Sequence, residues 1–225
     1  MTMSVTEALY TRISTRVFLP TPLSRDLLHE ILDAARWSPS GGNLQGWKVI
    51  AVAGDARQAV IDAGLAALAA NDPGSDGGHP IYPANLWEPY RSRRFQVGED
   101  MYEKMGIPRD DKPARFAHVA RNFQFFDAPV GLFFVIDKGM GVGQWAHLGM
   151  FMQSVALAAT ERGVASCFQE AWGQVRVPLA AHFDLPDNEM VYCGMALGYA
   201  DPDAPVNSLR SRREEVDGFA TFQGW

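Results

Sequence analysis

The sequence predicts an α+β fold on three observations. Leu27, Leu28, Ile31, Leu32, Ala34 and Ala35 recur at helical spacing and form one apolar stripe. The short apolar runs WKVIAVA (Trp47–Ala53) and VGLFFVI (130–136) read as buried strands. Helices and strands then mix along the chain without the regular alternation of a doubly wound sheet.

Taken in order, a short helix is expected over 5–10, ending before the polar run 11–16. Ser24 suits the N-cap of the striped helix, which should stop near Ser38 because Pro39 disfavours helical geometry in the residue before it. After the strand Trp47–Ala53, Asp55 caps an Ala-rich helix running to about Ala70. Segment 71–89 carries three glycines and four prolines, too many for a regular element. A loop this long in a compact domain is a functional candidate, and Tyr82, Trp87 and Tyr90 suit a cover over a binding site. Helices are expected over 91–105, 113–123 and 145–162, the last stopped by Gly163. Strands are expected over 130–136, 164–168 and 190–199. The tail 201–225 is polar and ends in aromatics, and no internal repeat is visible.

At 225 residues, with 47% apolar and 20% charged residues, the chain suits one globular domain. A net charge of −6 argues against a nucleic-acid footprint, which needs a concentrated basic surface. Cys167 and Cys193 are too few for a disulfide framework, and neither they nor the five histidines have metal-ligand spacing. The N-terminus lacks an apolar signal region, and no apolar run reaches the roughly 18 residues of a membrane span, so a cytoplasmic protein is expected.

Three constellations could carry chemistry. Arg12-Ile13-Ser14-Thr15-Arg16 gathers two guanidiniums and two hydroxyls, a compact set for an anion, although from the spacing alone a solvated surface turn is the simpler reading. Ser38-Pro39-Ser40-Gly41-Gly42-Asn43 joins a helix to a strand, and its paired glycines allow close backbone approach to a ligand. An ordinary helix-to-strand turn would look the same. Asn207, Arg210, Arg212 and Arg213 form a basic cluster in an otherwise acidic chain, so a positive pocket there would serve a bound anion. A fourth motif, Gly141-Val142-Gly143-Gln144-Trp145-Ala146, matches the dinucleotide fingerprint after a strand and opens a helix. Its candidate acid, Glu161, falls inside the helix rather than at the end of a second strand, and a helix-entry turn is the simpler reading.

Together these segments resemble the nitroreductase family. RISTR (12–16) is similar to its N-terminal Arg-x-Ser-x-Arg/Lys motif, and SPSGGNLQGW (38–47) to its Ser-Pro-Ser-x-x-Asn-x-Gln-Pro-Trp segment, with Gly46 in place of the proline. ASCFQEAW (165–172) and NSLRSRR (207–213) fall where the family places further flavin contacts. The resemblance covers nearly the whole chain from Tyr10 onward. It implies a sandwich around a mostly antiparallel sheet, with a single FMN-binding domain over 1–225, a covering insertion at about 71–125, and a tail at 201–225 that embraces the other subunit of a homodimer.

By position, the resemblance implies that Arg12, Ile13, Ser14 and Arg16 hold the FMN phosphate and the ribityl-pyrimidine side. Arg210 and Arg213 would reach the phosphate, with Arg212 as the alternative if the register differs by one. Pro39, Ser40, Gly41 and Asn43 would come from the partner chain. Around Gln169, Glu170 and Ala171 a backbone N–H would face flavin N5, and Arg16 would stabilise the reduced flavin near N1/O2. The implied activity is ping-pong electron transfer from NADH or NADPH to a small acceptor such as a nitroaromatic or quinone. Alternatives are a Rossmann-type dehydrogenase, a non-enzymatic flavin carrier or sensor, and a halotyrosine dehalogenase using Glu99, Tyr102 and either Lys104 or Lys112.

Overall fold

The computed structural model describes residues 3–70 and 80–225. Of the long loop expected over 71–89, residues 71–79 lie outside the described residues, and 80–89 is irregular. The fold is α+β. Helices α1 (Val5–Thr11), α2 (Arg25–Ala35), α3 (Gly54–Ala70), α4 (Tyr90–Lys104), α5 (Lys112–Ala120), α6 (Val142–Glu161) and α7 (Arg176–His182) surround strands β1 (Trp47–Ala53), β2 (Val130–Asp137), β3 (Ala165–Gln169) and β4 (Glu189–Gly198).

The strands form one sheet in the order β1-β2-β4-β3, and every neighbouring pair is antiparallel. That geometry excludes the parallel unit a dinucleotide fingerprint needs. Gly141 is instead the N-cap of α6, which starts three residues before the expected Trp145. The 165–169 strand begins one residue later than expected.

Alternation along β2 builds two cores. Leu132, Phe134 and Ile136 pack with α2 and α6, against Ile31, Leu148 and Val155. Phe133 and Val135 point to the opposite face, among Val60, Ile61 and Trp172. Both faces are covered, so β2 reads as a continuous apolar run rather than an alternating one.

Several helix starts follow side-chain capping. Ser4 and Glu7 form a reciprocal capping box on α1, and Ser24 accepts from the Leu27 N–H at 3.1 Å. Asp111 caps α5 by accepting from Ala114 N–H at 3.0 Å. Asp55 lies inside the first turn of α3 rather than capping it, because Gly54 already begins the helix. Helix α7 has no counterpart among the sequence expectations. Pro178 is tolerated because, in the first helical turn, its missing N–H would have had no intrahelical acceptor anyway.

The backbone just before β2 is strained. Phe125, Phe126 and Asp127 have φ of 54°, 51° and 67°, a left-handed run that costs about 1–2 kcal/mol per residue. Packing holds it. The Phe125 ring fills a notch over Gly131, where a Cβ would come within 2.3 Å of it, and lies 5.0 Å from the Trp172 ring. Trp172 is itself fully buried in a slot left by Gly64 and Gly194.

Candidate functional site

Arg12 caps the C-terminal end of α1, and residues 14–18 then run extended along the β3 side of the sheet. Ser14 bridges Ser166 in parallel, and Thr15 N–H donates to the Ser166 carbonyl at 3.0 Å. Phe18 bridges Ala200, and Leu19 N–H donates to Tyr199 O at 2.8 Å. Thr15 and Phe18 are buried, while Arg12, Ser14 and Arg16 keep partial exposure on the other side.

The C-terminal segment is fastened to the same stretch by Asn207. Its Oδ1 accepts from Arg16 N–H at 2.9 Å, and its amide nitrogen donates to Val17 O at 2.8 Å and to Asp201 O at 2.9 Å. Arg210 then donates to the Tyr10 carbonyl. Arg213 folds back on Ser211, donating to its carbonyl at 3.0 Å and its hydroxyl at 2.7 Å.

Together these segments enclose a cavity of about 360 Å³, with Arg12, Ile13, Ser14, Arg16, Arg210 and Arg213 in its wall. Arg212 is exposed and lies outside that wall. Tyr10, Leu209 and Val97 of α4 also line it. Nothing in the local sequence around Val97 marked it, because its place depends on how α4 packs.

Charge in this cavity is uncompensated. None of Arg12, Arg16, Arg210 and Arg213 makes a salt bridge among the described residues. Burial, then the like charges of Arg213 and Arg210, pull the Arg12 guanidinium below its ordinary pKa. A guanidinium stays protonated near neutrality regardless. Four uncompensated guanidiniums around one cavity make a receptor for a bound anion.

The 38–43 loop lies elsewhere. Pro39, Ser40 and Asn43 line a separate recess of about 400 Å³ with Arg36, Trp37 and Gln45. Gly41 is outside its wall, and its N–H donates to His147 Nδ1 at 3.3 Å. Gly42, Asn43 and Gln45 have positive φ of 60°, 54° and 49°. The turn is tied by Gln45 N–H donating to Ser40 Oγ at 3.0 Å and Gln45 Nε2 donating to Asn43 Oδ1 at 3.0 Å. Trp37 is 79% exposed at its rim.

At the end of β3, Gln169 turns its side chain into the core, with Nε2 donating to Asn122 O at 2.8 Å and Oε1 accepting from the Trp172 indole at 3.4 Å. Any ligand contact by Gln169 therefore falls to its backbone. Glu170 is exposed, yet partial desolvation raises its carboxyl. Ala171 follows in the same short helical turn. Burial pushes the Cys193 thiol up to about 12, which leaves it protonated and unreactive.

Above the arginine cavity, α4 and α5 are clasped to each other. Arg115 binds Glu99 through both carboxylate oxygens, at 2.5 and 3.2 Å, and stacks 4.2 Å from the Tyr102 ring centroid. Glu99 is thus engaged within the protein, while Lys104 and Lys112 are exposed. His118, which the sequence reading did not single out, is buried between Tyr102 and Phe126. Burial, with Arg16 and Arg121 nearby, pulls its imidazole down to about 4.

An antiparallel α+β domain with an uncompensated arginine cavity beside its sheet belongs to the class that holds anionic ligands. The Nitroreductase family model matches residues 9–199, and the chain belongs to the nitroreductase family. It is 39% identical over 216 residues to a 4-nitrobenzoate reductase of Pseudomonas putida, covering 95% of this chain and 93% of that one. It is 36% identical over 211 residues to a nitrobenzene nitroreductase of Ectopseudomonas oleovorans, covering 94% and 93%. An FMN and NADPH-dependent nitroreductase from Sphigopyxis sp. strain HMH superposes with a TM-score of 0.95 at 42% identity, covering 99% of this chain and all of the other. Among the described residues, no helix is long and apolar enough to cross a membrane.

Proposed function

We propose that this chain is an FMN-dependent nitroreductase that oxidises NADPH or NADH and reduces a nitroaromatic by a ping-pong mechanism. The observation that carries the proposal is the uncompensated arginine cavity. FMN ends in a phosphate dianion, and Arg12, Arg210 and Arg213 offer that group paired N–H donors without a competing carboxylate. The cavity fits the group. Its volume of about 360 Å³ and its apolar lining at Leu9, Ile13, Val97 and Leu209 suit the phosphate and the sugar-alcohol chain.

When bound, FMN supplies the redox chemistry. The protein's own part is binding and orientation. Arg12, Arg210 and Arg213 anchor the phosphate end, and Arg16 supplies positive charge on the pyrimidine side. The backbone of residues 169–171 offers an N–H toward N5, its place fixed by Trp172 in its glycine slot and by the Gln169–Asn122 bond. Val97 of α4 brings the covering insertion to the cavity wall, and the Glu99–Arg115 clasp holds α4 to α5.

Pro39, Ser40, Gly41 and Asn43 line no part of the arginine cavity of their own chain. We therefore assign them to the flavin of a partner subunit in a homodimer. Exposed Phe219, Phe222 and Trp225 of the tail support the same assembly, since a second subunit would cover them. Quinones form a second acceptor class for the same site.

The visible spectrum of the purified protein, followed by NADPH consumption with 4-nitrobenzoate or nitrobenzene, tests the proposal. Bound flavin near one per chain and acceptor-dependent oxidation are expected. Protein that stays colourless after incubation with excess FMN would refute it.

A further inference from the structure

Three arginines stand in the first turns of α4, and the first turn holds no acidic residue. Arg91 is neutralised by Glu88 at 2.7 Å, and Arg93 pairs with Glu214 of the tail. Arg94 differs. It forms no salt bridge among the described residues, and its guanidinium lies 4.3 Å from the Tyr82 ring centroid. The aromatic face orients the guanidinium without neutralising it. In a chain of net charge −6, an oriented and unneutralised cation is informative.

Arg94 also lines a recess of about 610 Å³ between residues 84–86 and α4. Phe95 forms one wall and is half exposed, and Asn85 adds an amide. At Gly98 an added Cβ would meet no atom within 4 Å, so the helix surface there is open to a flat ring. The carboxylate of Glu99, which also borders the recess, is held by Arg115. The recess therefore combines an aromatic wall, an open helix face and one net positive charge. Val97, on the adjoining face of α4, lines the arginine cavity, so the two sites share a single helix.

We propose that Arg94, held over Tyr82, is an anion subsite that takes the negatively charged group of an aromatic ligand entering the neighbouring redox site. The inference rests on the proposed function for the identity of that site. Two ligands carry the required chemistry, a flat ring system bearing an anion. One is the adenosine 2′-phosphate of NADPH, and the other is the carboxylate of a nitrobenzoate-type acceptor. Either way, Arg94 sets specificity, favouring NADPH over NADH or carboxylated over neutral nitroarenes.

Calorimetry on the purified protein and its Arg94→Ala and Arg94→Lys variants decides between them. The probes are adenosine 2′,5′-bisphosphate against adenosine 5′-monophosphate, and benzoate against benzamide. Losing one exposed charge-assisted contact should weaken the favoured anion by about tenfold in Arg94→Ala. Arg94→Lys should recover part of that loss, since it keeps the charge but not the planar fork. Selective weakening of the bisphosphate assigns the subsite to the nucleotide, and NADPH KM should rise while NADH KM holds. Selective weakening of benzoate assigns it to the acceptor. Unchanged binding of both anions, or equal weakening of charged and neutral probes, overturns the proposal. The binding arms need no turnover, and the flavin spectrum reports separately on the redox site.

Discussion

The backbone N–H of Arg16 donates to Asn207 Oδ1 at 2.9 Å, joining two segments 191 positions apart in sequence. One amide side chain thereby sets the spacing between the two arginine pairs of the cavity. Asn207→Ala removes this bond and the two that the amide donates to Val17 and Asp201. At about 1 kcal/mol for each bond, a stability loss of about 2–3 kcal/mol is expected. FMN affinity should fall as well, because Arg210 and Arg213 lose their register. Thermal unfolding and flavin titration together check this, and unchanged FMN affinity would separate the clip from the site.

Arg12→Ala should weaken FMN binding by about 2–5 kcal/mol, the range for truncating one partner of a desolvated charge pair. Fluorescence quenching of FMN by apo-protein measures it. Arg212→Ala should have little effect, since Arg212 lies outside the cavity wall.

Gly194→Ala is expected to destabilise the fold by about 1–3 kcal/mol through overpacking. Its Cβ would sit 2.3 Å from the Trp172 ring, which has no room to retreat. Denaturant unfolding tests the loss. Gly143→Ala, where no atom lies within 4 Å of the added carbon, serves as the control.

Stability should depend on pH through His118. Its ordinary value is 6.5 and its folded value about 4, so between these the unfolded chain binds a proton that the folded chain refuses. Stability from this group is complete above about pH 6.5 and is lost as pH falls toward 4. The total is about 3 kcal/mol. His118→Gln should flatten that part of the curve, as seen by unfolding at a series of pH values.

A shared site predicts partial complementation. Arg12→Ala and Asn43→Asp subunits, each defective alone, should regain FMN binding and activity when refolded as a mixture, because one of the two sites in a mixed dimer carries neither defect. A monomer by light scattering that remains fully loaded with FMN would exclude the shared arrangement.

Local patterning made much of the architecture legible. The stripe from Leu27 to Ala35 and the apolar runs of β1 and β2 report their own burial, because helical and strand periodicities need only a few neighbouring residues. The four candidate segments were likewise visible as residue types in order. Their convergence was not. Arg12 and Arg213 meet because Ser14 pairs with Ser166 and Asn207 grips the 16–17 backbone, contacts that no local window contains. Val97 and His118 belong to the same category. The left-handed run at Phe125–Phe126 runs against local preference, since bulky residues avoid positive φ, and only the Gly131 notch and the Trp172 ring make it favourable. Sequence alone determined the α+β class, the strands at the centre and the inventory of anion-binding groups. Tertiary structure decided which of those groups share a cavity, because burial and charge proximity depend on distances that open only when the sheet closes its edge.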